Sequence, residues 1–280
     1  MSIRPTIGIF DSGFGGLTVM RALLDLVPHA RYIYLGDTAR LPYGSKSRET
    51  IARYAVGSGR FLEAQGADML VVACNTASAL ALDVLEAESR IPVIGVIEPG
   101  AAAAQAAAAN NPRANGVLVL ATEATVQSHA YARACSTRKL AAFEKACPLL
   151  VPLVEEGWTD HPVTEEVLRI YFEQAFGDAK ADGIVPRTIL LGCTHYPLIQ
   201  PLIARVLKKH FAVHGPMRII DSAVATAQRV AGRFVMSTST SNEELDCRFF
   251  ATDSIEKFPR LGSRFLRRPL AHVQHVDLGG

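Results

Sequence analysis

Eight short runs rich in Val, Ile and Leu alternate with amphipathic or Ala-rich stretches, and this rhythm constrains the fold most. The runs are Thr6–Phe10, Arg31–Asp37, Asp68–Cys74, Pro92–Ile97, Gly116–Thr122, Leu149–Val154, Thr188–Cys193 and Met217–Asp221. Near-continuous apolar strands between helical stretches mark a parallel sheet covered on both faces. The periodicity predicts helices over 17–26, 48–65, 77–88, 100–109, 126–134, 164–176, 198–210 and 223–235, with a final strand over 246–251. Two segments share one design: DMLVVACNTAS at Asp68–Ser78 and RTILLGCTHYP at Arg187–Pro197 each run a strand into a small residue, a Cys and a Thr-containing turn. IGIFDSG and VLVLATEAT form a weaker pair. The expected fold is therefore α/β, with two pseudo-symmetric doubly wound parallel-sheet domains and the site in the cleft between them.

Composition narrows the function. With 29 Lys and Arg against 27 Asp and Glu in 280 residues, the net charge is +2. No dense basic block exists to neutralise many phosphates, so no nucleic-acid partner is expected, and the tail Arg264–Arg268 is read as a solvated segment. Pro92, Glu98, Pro99, Gly100 and Gln105 break the most apolar stretch, whereas a membrane span needs about 20 apolar residues. No membrane partner is expected. The start of the chain lacks the long apolar region of a secretory signal, which points to the cytoplasm. Ser237–Glu244, STSTSNEE, reads as a surface loop. Five scattered cysteines form no disulfide framework and no CxxC pair, so no metal site is expected.

Ligands of open α/β sheets sit beyond the carboxyl ends of the strands. Four polar turns fall there: Asp11-Ser12-Gly13, Cys74-Asn75-Thr76, Thr122 to Thr125, and Cys193-Thr194-His195. Each opens a helix, so backbone N–H groups and a positive dipole end can meet a carboxylate or phosphate. Taken singly, Asp11, Ser12, Thr76 and Thr194 could be helix caps alone. Capping leaves the matched cysteines unexplained. Cys135, Cys147 and Cys247 read as inert apolar residues, whereas a thiol facing a helix N-terminus is expected to titrate below about 8.5. Two mirror-placed thiols suit a reaction that moves a proton from one face of a carbon to the other. Asp11 beside Cys74 and His195 beside Cys193 would tune them. The turn Pro42-Tyr43-Gly44 can aim backbone donors at a ligand. The glycine-rich DSGFGG matches neither common nucleotide loop.

The motifs DSGFGGLTV at Asp11–Val19, GDTARLPYG at Gly36–Gly44, ACNTAS at Ala73–Ser78, GVIEPG at Gly95–Gly100, PLVEEG at Pro152–Gly157 and GCTHYPL at Gly192–Leu198 closely resemble those of the glutamate racemases. The CNT and CTH motifs also occur in the wider amino-acid racemase superfamily. The resemblance implies an isomerase that interconverts L- and D-glutamate without cofactor or metal and supplies D-glutamate for peptidoglycan. It implies Cys74 as the base toward D-glutamate and Cys193 as the base toward L-glutamate, assisted by Asp11, His195 and Glu155. Substrate binding would fall to Asp11, Ser12, Pro42, Tyr43, Gly44, Asn75, Thr76, Thr122, Thr125, Thr194 and His195. It further implies a homodimer, a first domain of residues 1–98 plus 211–280 and a second of 99–210. Where a glycine is expected near Ala121, this chain has alanine. The competing expectations are an aspartate racemase with the same two thiols, a non-catalytic amino-acid-binding module, and a hydrolase built on Cys193 and His195 that has no need of Cys74.

Overall fold

The structure is a computed structural model, and it describes residues 4–109, 115–234, 246–270 and 272–279. The expected loop at Ser237–Glu244 lies outside the described residues. The chain divides into two compact units, Met1–Val96 with Ala223–Gly280, and Ile97–Ser222.

The first unit holds six parallel strands: β1 (Thr6–Asp11), β2 (Arg31–Gly36), β3 (Met69–Val72), β4 (Val93–Gly95), and, from the end of the chain, β9 (Cys247–Ala251) and β10 (Val273–His275). Their order is β10-β9-β2-β1-β3-β4. Side chains alternate across a strand, and the residues use both faces. Phe10, Ile33, Leu35, Leu70, Val72 and Phe250 pack in one cluster with α2 (Arg48–Ala64), α3 (Asn75–Leu80) and α4 (Leu82–Glu88). The alternate residues Tyr32 and Tyr34 turn to the other face. There the Tyr32 hydroxyl donates to the carbonyls of Leu23 in α1 (Leu17–Leu26) and of Val27 just after it, and Tyr34 meets Phe258 of α12 (Phe258–Leu266).

The second unit holds β5 (Gly116–Ala121), β6 (Ala141–Ala146), β7 (Pro186–Gly192) and β8 (Arg218–Asp221), all parallel, in the order β6-β5-β7-β8. This repeats the order β2-β1-β3-β4 of the first sheet. Helix α5 (Ile97–Ala109) packs on β5, β7 and β8 and against α7 (Ala130–Ser136), which covers β6. Helix α9 (Pro162–Ala181) lies against β6 with α10 (Gln200–His210) beside it. Short helices α6 (Glu123–Gln127) and α8 (Leu150–Glu155) follow β5 and β6, while α11 (Ser222–Ala231) belongs, after its first residue, to the first unit.

Several expectations are corrected. Residues 211–222 belong to the second unit, not the first, because β8 hydrogen-bonds along β7 before the chain returns. The crossing lies after Val96, two residues before the expected Glu98. The run Leu149–Val154 is mostly helix α8, not strand, with Leu150 and Val154 one turn apart and buried. The strand in its place is Ala141–Ala146, whose five half-buried residues carry little apolar signal. The helix expected over 126–134 is two helices, broken where His129 adopts a left-handed φ of 52°. The tail at 264–268 is not simply solvated: Phe265 and Leu266 are buried in α12, and only the arginines face outward.

Candidate functional site

Each sheet has its topological switch point between its first and third strands, where consecutive connections diverge. Ligand sites of open α/β sheets form there. In the first unit this point lies between β1 and β3, whose carboxyl ends carry Asp11 and Cys74. In the second it lies between β5 and β7, which lead into Thr122 and Cys193.

In the first unit, Asp11 is 1% exposed and its Oδ2 accepts the Gly13 N–H at 2.9 Å. Gly16 makes this loop possible: a Cβ there would stand 2.4 Å from the Asp11 Cβ and 2.9 Å from the Ala73 Cβ. Cys74 caps α3, where its Sγ accepts the Ala77 N–H at 3.4 Å. The same thiol lies 3.5 Å from the half-buried Ser12 Oγ. Burial, and then the Asp11 charge, push the Cys74 thiol up to about 12 against the opposing pull of Ser12 and the Ala77 N–H. The expected depression by the helix N-terminus is therefore overturned: desolvation of a thiolate outweighs a six-residue helix end. Cys74 therefore rests as a thiol.

Asn75 and Thr76 open α3 and are buried. The turn Tyr43–Ser45 packs against α3, preceded by a cis Leu41–Pro42 bond. Pro42 and Gly44 are exposed, while the Tyr43 ring is buried with its hydroxyl donating to Asp37 Oδ2 at 2.5 Å. The Tyr43 phenol is thus committed to Asp37.

In the second unit, Cys193 follows β7 and is 5% exposed. His195 is buried, with Nδ1 3.9 Å from Cys193 Sγ and 3.3 Å from Thr194 Oγ1. Its Nε2 lies 3.0 Å from Oε1 of Glu155, the last residue of α8. Burial opposes the imidazolium, yet hydrogen bonds and charge from Cys193 and Glu155 prevail and raise the His195 pKa to about 10. The second half-site thus sets an imidazole with a raised pKa beside Cys193, where the first sets a carboxylate beside Cys74. Thr122 caps α6 by accepting the Thr125 N–H at 3.4 Å, and the two hydroxyls are 2.9 Å apart. Because β5 and β7 are neighbours with Ala121 opposite Gly192, this threonine pair and Cys193 leave adjacent strand ends.

The candidate residues therefore gather as two half-sites: Asp11, Ser12, Tyr43, Cys74, Asn75 and Thr76 in one unit, and Thr122, Thr125, Glu155, Cys193, Thr194 and His195 in the other. Cys135 and Cys147 are buried, Cys247 is half-buried at the start of β9, and all five cysteines are free thiols. Among the described residues no cluster of three or more His, Cys, Asp or Glu could hold a metal ion, and no helix is long and apolar enough to cross a membrane.

Sequence reasoning missed Asp37 and Tyr196. Asp37 stood within the GDTARLPYG motif, but its partner Thr252 lies 215 residues further along the chain. Tyr196, fully buried, donates its hydroxyl to the carbonyls of Cys147 at 3.0 Å and Ala121 at 3.3 Å, tying the ends of β5 and β6 to the turn after Cys193. The alanine at 121 leaves that carbonyl in place.

Residues 7–230 match the Asp/Glu/hydantoin racemase family. A glutamate racemase of Koribacter versatilis is 51% identical, over 99% of this chain and 99% of its own. One from Geobacter metallireducens is 42% identical, over 97% of this chain and 96% of its own. The crystal structure of a glutamate racemase from Francisella tularensis in complex with D-glutamate superposes with a TM-score of 0.83 at 33% identity, covering 99% of each chain.

Proposed function

The chain belongs to the Asp/Glu/hydantoin racemase family, and from that premise we propose that it interconverts L- and D-glutamate by passing the α-proton between two thiols. One observation carries the reading: two sheets of the same strand order each place a cysteine just beyond the third strand, at the switch point. A hydrolase needs one such cysteine, and a binding module needs none. The glutamate racemases that match along the whole chain support the choice of substrate.

In the L-to-D direction, the Cys193 thiolate takes the α-proton of L-glutamate and becomes a thiol. The electron pair left on the α-carbon spreads into the adjoining carboxylate. The Cys74 thiol then gives its proton to the opposite face, leaving D-glutamate and a Cys74 thiolate. The reverse direction runs the same steps backwards, with Cys74 as base. Asp11 and His195 tune the two thiols, and Glu155 holds His195 charged.

An α-carbon acid is far weaker than a thiol, and each unmatched pKa unit costs about 1.36 kcal/mol. The site must therefore stabilise the carbanion as it forms. Backbone and hydroxyl donors in the turns of Asn75-Thr76 and Thr194-His195, with Ser12, the Pro42–Gly44 turn and the Thr122–Thr125 pair, serve as preorganised partners for the substrate carboxylates. The family resemblance alone carries two further parts of this reading: supply of D-glutamate for peptidoglycan and a homodimer.

The test is incubation with L-glutamate in D2O, following ellipticity and the α-proton signal by NMR. Loss of both signals, abolished as racemisation by Cys74→Ser and by Cys193→Ser, is the expected result. Loss of both with L-aspartate alone would overturn the substrate, and binding without exchange of any acidic amino acid would overturn the reaction.

A further inference from the structure

Asp37 follows β2, is fully buried, and has both carboxylate oxygens engaged. Its Oδ2 accepts the Tyr43 hydroxyl at 2.5 Å and lies 3.5 Å from Arg40 Nη1. Its Oδ1 accepts the Thr252 hydroxyl at 2.9 Å. That second partner comes from the residue after β9, beyond the stretch that matches the family. The Thr252 Oγ1 also accepts the Ala39 N–H at 2.9 Å, and Thr38 Oγ1 donates to the Asp253 carbonyl while accepting the Asp253 N–H. On its other side, the Asp37 N–H donates to the Asp11 carbonyl at 2.9 Å. Through its carboxylate and its backbone N–H, one buried residue thus ties together the Asp11 strand end, the 38–45 segment and the end of β9.

A buried charge is costly unless fully hydrogen-bonded. A packed core needs no carboxylate at this place, yet a turn that must hold its backbone donors to a fraction of an ångström does. We infer that Asp37, acting with Thr252, is a positioning residue that sets the Pro42–Gly44 turn for a substrate carboxylate; the inference rests on the racemase reading above. The Asp37 carboxylate acts on the turn through Tyr43, whose ring packs 6.1 Å from Phe10 and 5.9 Å from Tyr54 between centroids. Arg40 stacks 4.4 Å over the same Tyr54 ring, so the turn is held from beneath on several sides. Burial and the Asp37 charge push the Tyr43 phenol far above its ordinary value, and it remains a donor at working pH.

The test compares Thr252→Val, Thr252→Ser and Tyr43→Phe with the wild type, by calorimetric binding of D-glutamate and by kcat and KM in racemisation. Thr252→Val keeps shape and removes the hydroxyl; it is expected to weaken binding and raise KM about tenfold, equal to about 1.4 kcal/mol. Its kcat stays within about twofold, and Thr252→Ser restores both constants. Tyr43→Phe repeats the KM effect and decides the matter if Thr252→Val does not fold. Wild-type binding constants in both valine and phenylalanine variants would overturn the inference, as would a loss confined to kcat. A wild type that binds no glutamate would overturn the racemase reading, and this inference with it.

Discussion

Replacing Glu155 by Gln removes the carboxylate that lies 3.0 Å from His195 Nε2 while keeping its shape. A hydrogen bond to a charged group contributes about 1.5–3 kcal/mol. Glu155 is one-third exposed, so solvent screening favours the lower part of that range, about 2 kcal/mol. At about 1.36 kcal/mol per pKa unit, the His195 pKa should fall by about 1.5 units, from about 10 toward 8.5. The sign follows from linkage. A histidine raised above its ordinary 6.5 stabilises the fold fully below that value and loses the contribution as pH rises through its folded pKa. Glu155→Gln should therefore cost about 2 kcal/mol at pH 7 and less than about 0.5 kcal/mol at pH 10.5. Urea unfolding of both proteins at the two pH values measures the difference, and NMR titration of the imidazole reads the pKa directly. The alkaline limb of racemisation should move down with it. Because the enantiomers are equal in free energy, kcat/KM must fall equally in both directions. An unmoved imidazole midpoint, or the same penalty at both pH values, would refute the argument.

Three further outcomes are expected. Asp11→Asn, made in a Cys193→Ser background, should bring the Cys74 pKa below about 12, because the Asp11 charge stands second only to burial in raising it; the pH dependence of Cys74 alkylation, followed by peptide mass spectrometry, reads this. Gly16→Ala drives a methyl group into the Asp11 and Ala73 side chains and should cost about 1–3 kcal/mol in urea unfolding, with loss of turnover. Tyr196→Phe leaves two buried carbonyls without their phenol donor and should cost about 1–2 kcal/mol, seen as a Tm lower by about 3–6 °C.

The sheets were legible where strands are buried on both faces, because a run such as MLVVA or IGIFD has one stable use in a parallel sheet. The edges were not. Ala141–Ala146 pairs only with β5 and is half-buried, so its sequence carries no continuous apolar run. Leu149–Val154 carries that run but buries Leu150 and Val154 from one face of a helix. The three-residue β10 and the arginine-bearing α12 were overlooked for a related reason: one is too short for a period, and the other hides its apolar face among charges.

By itself, the order of residues determined the βα rhythm, the internal duplication and the two strand-end cysteines with their polar neighbours. These are local features, set by period, turn chemistry and motif, and they remain visible along a linear chain. Tertiary structure alone decided the rest. It set Cys74 high by burying it beside Asp11, raised the His195 pKa through Cys193 and a glutamate 40 residues away, and joined Asp37 to a threonine 215 residues further on. Titration and positioning depend on what surrounds a group in space, through desolvation and short hydrogen bonds. Only folding brings those neighbours together.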